Sequence, residues 1–207
     1  MTDRFRIAVL VSGSGTNLQA LIDTVHDTDV EIISVAASRA DAGALARAER
    51  AGIESGVFAC AARDDRNARD AALADWLGER DVELVVLAGW MELLGPAFVR
   101  RFAGRIINVH PSLLPAFPGL RAIEQAVESG VKVTGVTVHF VDAGIDTGAI
   151  VLQEALELSY PAAIADIEQR VHSIEHRLLP RAVRLIAQGH VRMDPANPRV
   201  VVIDDGD

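Results

Sequence analysis

Phe5-Arg6-Ile7-Ala8-Val9-Leu10-Val11-Ser12-Gly13-Ser14-Gly15-Thr16-Asn17-Leu18 is the stretch whose reading decides the fold. The run Phe5 to Val11 is short and continuously apolar, as a strand buried on both faces must be. A glycine-bearing turn follows. Leu18, Leu21, Ile22 and Val25 then fall at i, i+3, i+4 and i+7, one face of a helix. Working outward, compact apolar runs recur at Val30 to Ala37 and Leu84 to Ala88, and an amphipathic helical stretch spans about Asp64 to Arg80. Strands interleaved with helices predict an α/β protein with an open, mostly parallel sheet and helices on both faces.

The second half departs from strict alternation. A fourth strand ends at His110, a Pro-rich loop runs to Gly119, a helix reaches about Ser129, and a strand covers Val131 to Val141. Gly144 and Gly148 bracket a loop, after which Ile150 to Leu158 alternates weakly enough to predict an edge or antiparallel strand. A long helix carries Ile164, Ile167, Val171, Ile174 and Leu178 on one stripe, and Pro180 is expected to kink or restart it. Residues 194–207 read as a Pro-containing turn, a β-prone run at Arg199 to Ile203 and an acidic tip. The expected organisation is one domain over 1–207, with halves at 1–105 and 106–190 and a tail at 191–207.

Composition narrows the function. Half of the 207 residues are apolar, enough for one substantial core. Twenty Lys and Arg against 29 Asp and Glu give a formal charge of -9, which opposes a sequence-independent hold on a nucleic-acid backbone. Cys60 stands alone, so neither an internal disulfide nor a Cys-based metal cage is available, as expected in a reducing cytosol. No apolar run approaches a membrane span of roughly 20 residues. A soluble, cytoplasmic protein acting on small molecules is the expectation, without nucleic-acid or membrane partners and as monomer or homodimer.

Ser12 to Asn17 lies between the first strand and the first helix, where backbone N–H groups and the helix N-terminus favour an anion. Gly15 permits close approach, while Thr16 or Asn17 can cap the helix and donate to a phosphate. This is not the dinucleotide fingerprint, because Leu18 stands where a third glycine belongs and Arg39 ends the second strand in place of an acid. An arginine there can meet a 2'-phosphate, so an NADP-dependent oxidoreductase stays open as a different class. An ordinary glycine-bearing turn also stays open, as does a non-catalytic nucleotide-binding module.

Arg105-Ile106-Ile107-Asn108-Val109-His110-Pro111 brings an amide and an imidazole to the same face of a strand, two residues apart. Pro111 should stop the strand at His110, leaving both side chains able to donate to one oxygen. Asp146, in a Gly-punctuated loop, can fold over the same end and favour the His110 cation. Taken singly, His110 reads as a structural histidine and Asp146 as a turn residue. His139 reads first as a wall or core residue, and a metal set of His110, His139 and Asp146 lacks short ligand spacing. His172 and Glu175 share a helix face that reads most simply as solvated. Trp90 and Met91 can line an apolar slot or pack the core, and Arg63, Arg66 and Arg69 read as a solvated stripe.

Taken together, Ser12 to Ala20, Leu87-Ala88-Gly89-Trp90-Met91, Asn108-Val109-His110-Pro111-Ser112-Leu113-Leu114-Pro115, and Val138 to Gly148 resemble the phosphoribosylglycinamide formyltransferases, folate-dependent enzymes of purine biosynthesis. The likeness runs from about residue 5 to 190. It implies a Rossmann-like formyltransferase fold and transfer of a formyl group from the co-substrate 10-formyltetrahydrofolate to the amine of phosphoribosylglycinamide, with no metal. It implies Asn108, His110 and Asp146 as the catalytic trio. It places the acceptor on Gly15, Thr16, Asn17, His172 and Glu175, and the folate on Arg66, Met91, Glu92, Leu93, Leu94, Asn108, Val141 and Asp142. The halves 1–105 and 106–190 are then the phosphate-binding half and the catalytic and folate-binding half. Glu92 departs from the pattern, since relatives often carry a base there. Within the same chemistry, a formyltetrahydrofolate hydrolase is expected to carry an added N-terminal domain and a methionyl-tRNA formyltransferase a basic C-terminal one. This chain starts its first strand near residue 5 and ends in Asp204-Asp205-Gly206-Asp207.

Overall fold

A strand buried on both faces has no solvent side, and the first strand of this chain shows the result: Ile7 to Val11 are all fully buried. The structure is a computed structural model that describes residues 4–60 and 66–204. It divides into two compact units, Met1–Ile107 and Asn108–Asp207.

The first unit contains β1 (Phe5–Val11), α1 (Thr16–Thr24), β2 (Val30–Ala37), α2 (Gly43–Arg50), β3 (Glu54–Val57), α3 (Arg66–Gly78), β4 (Leu84–Leu87) and α4 (Pro96–Arg101). Its strands lie in the order β3-β2-β1-β4, every pairing parallel, with Ile7 opposite Ile32 on one side and Leu84 on the other. The predicted strands and first helix stand where the periodicity put them. The amphipathic stretch begins at Arg66 within the described residues, and Arg63 and Asp64 lie outside them. β3, reading Glu54-Ser55-Gly56-Val57, and α2 carry no apolar run or broad stripe. They form by pairing with β2 and by burying Ala44 and Ala48.

β5 (Ile106–His110) crosses from the first unit into the second and ends at the residue before Pro111, as expected. The second unit continues with α5 (Ala122–Glu128), β6 (Val133–Phe140), β7 (Ile150–Glu157), α6 (Ile164–Ala187), β8 (Val191–Asp194) and β9 (Asn197–Ile203). β6 and β7 pair antiparallel, β8 and β9 form a hairpin, and β9 meets β7 in parallel at Ile150 and Val200. The fold is thus α/β, a mostly parallel mixed sheet with helices on both faces and antiparallel additions in the C-terminal part. Between Val138 and His139 the β6–β7 register shifts by one residue, Val138 facing Leu152 and His139 facing Ile150. Pro180 does not restart α6. It lies buried inside one continuous helix, whose apolar stripe packs on β6 and β7.

Gly135 in β6 is required by space: a Cβ there would stand 2.2 Å from Glu154 O on β7 and 2.7 Å from Leu113 Cδ2. The first of these is backbone of the paired strand and cannot swing away. Gly135→Ala is expected to destabilise the fold by about 2–3 kcal/mol, lowering the melting temperature by roughly 5–10 °C. Gly130→Ala, where a Cβ meets nothing within 4 Å and only the positive φ opposes it, should cost about half as much. Equal melting temperatures for the two variants would contradict this β6–β7 packing.

Candidate functional site

β5 brings Asn108 and His110 to one face, and the loop 111–119 folds back to meet them. The Thr137 hydroxyl of β6 donates to Ser112 O at 2.6 Å and accepts from the Leu114 N–H at 3.1 Å. The Ser112 hydroxyl donates to Ala116 O at 2.6 Å. Phe117 adopts a left-handed φ of 53°, which turns its carbonyl onto His110 Nε2 at 2.8 Å. A carbonyl oxygen only accepts, so Nε2 carries a hydrogen and Nδ1 is the nitrogen left to exchange a proton. Nδ1 stands 3.4 Å from Asp146 Oδ2.

Asp146 is the hub of this cluster. Its own φ of 52° is left-handed, a conformation that Asp tolerates better than most residues. Oδ2 accepts the Gly119 N–H at 2.8 Å, while Oδ1 lies 3.5 Å from His139 Nε2 and from Asn108 Nδ2. His139 Nδ1 faces Phe140 O at 2.8 Å and therefore carries a hydrogen, so in the neutral ring Nε2 accepts from Asn108 Nδ2 at 3.2 Å. Desolvation is the largest influence on the Asp146 carboxyl and pushes it up. The bonds from His139 and Gly119 and the charges of both histidines together outweigh it and hold the group at about 2.

The sequence therefore brings its trio together but undervalues His139. The wall-or-core reading explains its burial and misses its contacts with Asn108 and Asp146. The available signal was its place on β6, two residues beyond Thr137 on the same face. Asn108 and His110 point where predicted, yet they turn hydrogens toward His139 and Phe117 O. Among the described residues, no group of three or more His, Cys, Asp or Glu side chains could hold a metal ion. Val141 and Asp142 lead into the Asp146 loop, where Asp142 Oδ1 accepts from the Gly144 N–H and the Thr147 hydroxyl. On α6, Glu175 is buried, which the solvated-face reading did not foresee. Half-exposed His172 sets Nδ1 2.9 Å from Glu175 Oε2, and that bond raises the imidazole's affinity for a proton above its ordinary value.

In the first unit, Gly15 caps α1 with a φ of 75°, and a Cβ there would lie 2.6 Å from Ala44 Cβ. Thr16 begins the helix and Asn17 is buried in its first turn. Arg47, which sequence reading passed over, donates to Ser14 O at 2.8 Å and Gln19 Oε1 at 3.0 Å, bringing a cation to the anion-prone loop. The segment after β4 is tied to the same loop: Ser12 Oγ accepts the Met91 N–H at 2.8 Å and the Ser38 hydroxyl at 2.7 Å. Trp90 is buried, as its core reading had it, and Met91 is exposed. Arg66 opens α3, but Arg69 is not part of a solvated stripe. It is buried between Asp70 and the segment 90–95, where Glu92 faces it at 3.5 Å and Leu94 is half-buried.

Comparison with known proteins places these features in context. A family model described as Formyl transferase matches residues 5–183. The phosphoribosylglycinamide formyltransferase of Haemophilus influenzae is 41% identical over 190 residues, covering 91% of this chain and 90% of that protein. The trifunctional purine biosynthetic protein adenosine-3 of Chironomus tentans is 42% identical over 193 residues, and this chain spans only 14% of its length. Among solved structures, glycinamide ribonucleotide transformylase 1 from Symbiobacterium toebii gives a TM-score of 0.92 at 46% identity, over 98% of this chain and 95% of that one.

The low Asp146 value carries a stability consequence. A carboxyl held below its ordinary value stabilises the fold in full above pH 4, and that contribution is lost as pH falls through about 2. The shift corresponds to roughly 2 kcal/mol. Between pH 4 and pH 2 the wild type should lose about that much more unfolding free energy than Asp146→Asn. Parallel curves for the two proteins in urea titrations would refute the arrangement.

Proposed function

This chain belongs to the formyl transferase family, and from that membership we infer that it transfers the formyl group of 10-formyltetrahydrofolate to the amine of 5'-phosphoribosylglycinamide. It is an enzyme, a one-carbon group transferase of purine biosynthesis. The observation that carries the inference is the cluster at the end of β5, with His110 Nδ1 3.4 Å from a carboxylate held ionised at neutral pH.

Attack of the amine on the formyl carbon forms a tetrahedral oxyanion and then breaks the bond to the folate nitrogen. The amine loses a proton and the departing nitrogen gains one. His110 Nδ1 is the atom assigned to hold that proton, because its other nitrogen is committed to Phe117 O. Ionised Asp146 lies 3.4 Å from that nitrogen, and the Asn108 amide with the imidazolium stabilises the oxyanion. His139 orients the Asn108 amide, since Nε2 accepts from its NH2 group.

The same reading assigns the acceptor phosphate to the Gly15, Thr16 and Asn17 amides, and its sugar end to His172 and Glu175. The folate falls to Arg66, Met91 to Leu94, Asn108, Val141 and Asp142. Support for the phosphate assignment comes from the left-handed Gly15 at the start of α1 and from Arg47 beside it. Small-molecule substrates without nucleic-acid or membrane partners, a cytoplasmic location, and a monomer or homodimer complete the proposal. No helix among the described residues is long and apolar enough to cross a membrane.

An assay with 10-formyltetrahydrofolate, run with and without phosphoribosylglycinamide, tests the reading. Formyl loss is expected only with the acceptor, whereas loss without it would indicate a hydrolase. Asn108→Ala and His110→Ala should each lower kcat by about 100- to 1000-fold, with calorimetric acceptor binding within about twofold of wild type. Turnover near the wild-type rate in both variants would remove these residues from the chemistry.

A further inference from the structure

The segment from Gly89 to Gly95 combines two properties that conflict in a protein without a ligand there. Met91 is 65% exposed and Leu93 54%, so their apolar surface gains nothing from folding. Yet the backbone between them is fastened from beneath at four points. Ser12 N–H donates to Gly89 O at 3.0 Å and the Met91 N–H to Ser12 Oγ at 2.8 Å. Arg69 Nη2 donates to Leu93 O at 2.8 Å, and the Gly95 N–H to Asp70 Oδ2 at 2.6 Å.

Arg69 and Asp70 are adjacent in α3, positions whose side chains normally diverge. They meet here, Arg69 Nε donating to Asp70 Oδ1 at 2.8 Å, with both residues about 95% buried. A charged pair taken out of water needs a compensating geometry, and the bonds to the segment provide it. The guanidinium also lies 5.5 Å from the centre of the Trp90 ring, and its Nη1 stands 3.5 Å from the half-exposed Glu92. Its planar fork thus serves Asp70, Leu93 O and Glu92 at once, which a lysine cannot match.

We propose that Arg69 is a positioning residue for the folate co-substrate. It holds the Leu93 carbonyl directly and the Gly95 amide through Asp70, so that Met91 and Leu93 present a preformed apolar surface to the ligand. The proposal rests on the reading that residues 91–94 take the folate. Preorganisation of this kind lowers the cost of binding and leaves the chemical step alone.

The test compares wild type with Arg69→Met, Arg69→Lys and the double variant Arg69→Met/Asp70→Asn. The double variant leaves no uncompensated buried charge while keeping an acceptor for the Gly95 N–H, so it guards against a single variant that fails to fold. Steady-state kinetics and calorimetry with tetrahydrofolate are measured on each. Arg69→Met and the double variant should raise the folate KM and weaken tetrahydrofolate binding by about tenfold or more, with acceptor KM and saturated kcat within about twofold. Arg69→Lys should fall between them and wild type. An unchanged folate KM with only a lower melting temperature, or an equal rise in both KM values, overturns the proposal. If wild type itself fails to bind tetrahydrofolate, the functional reading fails; if wild type and variants bind it equally, only the role of Arg69 falls.

Discussion

A carboxylate kept ionised under partial burial is the constraint on which the second unit is built. Asp146 has to gather the Gly119 N–H and two imidazoles to offset its desolvation, and each of these partners must itself be held in place. His110 is aimed by the Phe117 carbonyl and His139 by the Phe140 carbonyl. Those carbonyls fix which ring nitrogens carry hydrogen, and the remaining nitrogens face the carboxylate. The strained φ values of Phe117 and Asp146 persist because so many bonds determine them together.

The first unit solves a different problem, that of shaping backbone. Two of its segments, Ser12 to Asn17 and Gly89 to Gly95, are tied together through Ser12, whose Oγ accepts the Met91 N–H. Gly15 is excluded from bearing a side chain twice over, by its φ and by Ala44 of α2. Helices α2 and α3 thus matter here less as packing layers than as carriers of Ala44, Arg47, Arg69 and Asp70, which press on or bond the two segments.

Much of this was legible in the chain. Continuous apolar runs located β1, β2 and β4, the Pro111 rule stopped β5 at His110, and Asn108, His110 and Asp146 were found together as chemistry requires. What escaped were features made by distant partners. β3 is a four-residue strand without an apolar pattern, formed by pairing with β2, and the alternation of β8, Val191-Arg192-Met193-Asp194, is too short to stand out. Arg69 at helical spacing with Arg66 looked solvated, since nothing local reveals that Asp70 and Leu93 O lie beneath it. His139 looked like wall because its partners sit 31 and 7 residues away in the chain. Periodicity reports which face is buried, and it is silent on what a buried polar group touches there.

The one-residue shift between Val138 and His139 ties the cluster to the hairpin in an unforgiving way. Side chains alternate along a strand, so a pairing error of one residue between β6 and β7 turns His139 to the opposite face. A molecule mispaired in this manner loses the His139 acceptor of the Asn108 amide, which keeps only Asp146 Oδ1 at 3.5 Å. Specific activity therefore serves as a gauge of whether this pair of strands has found its alignment.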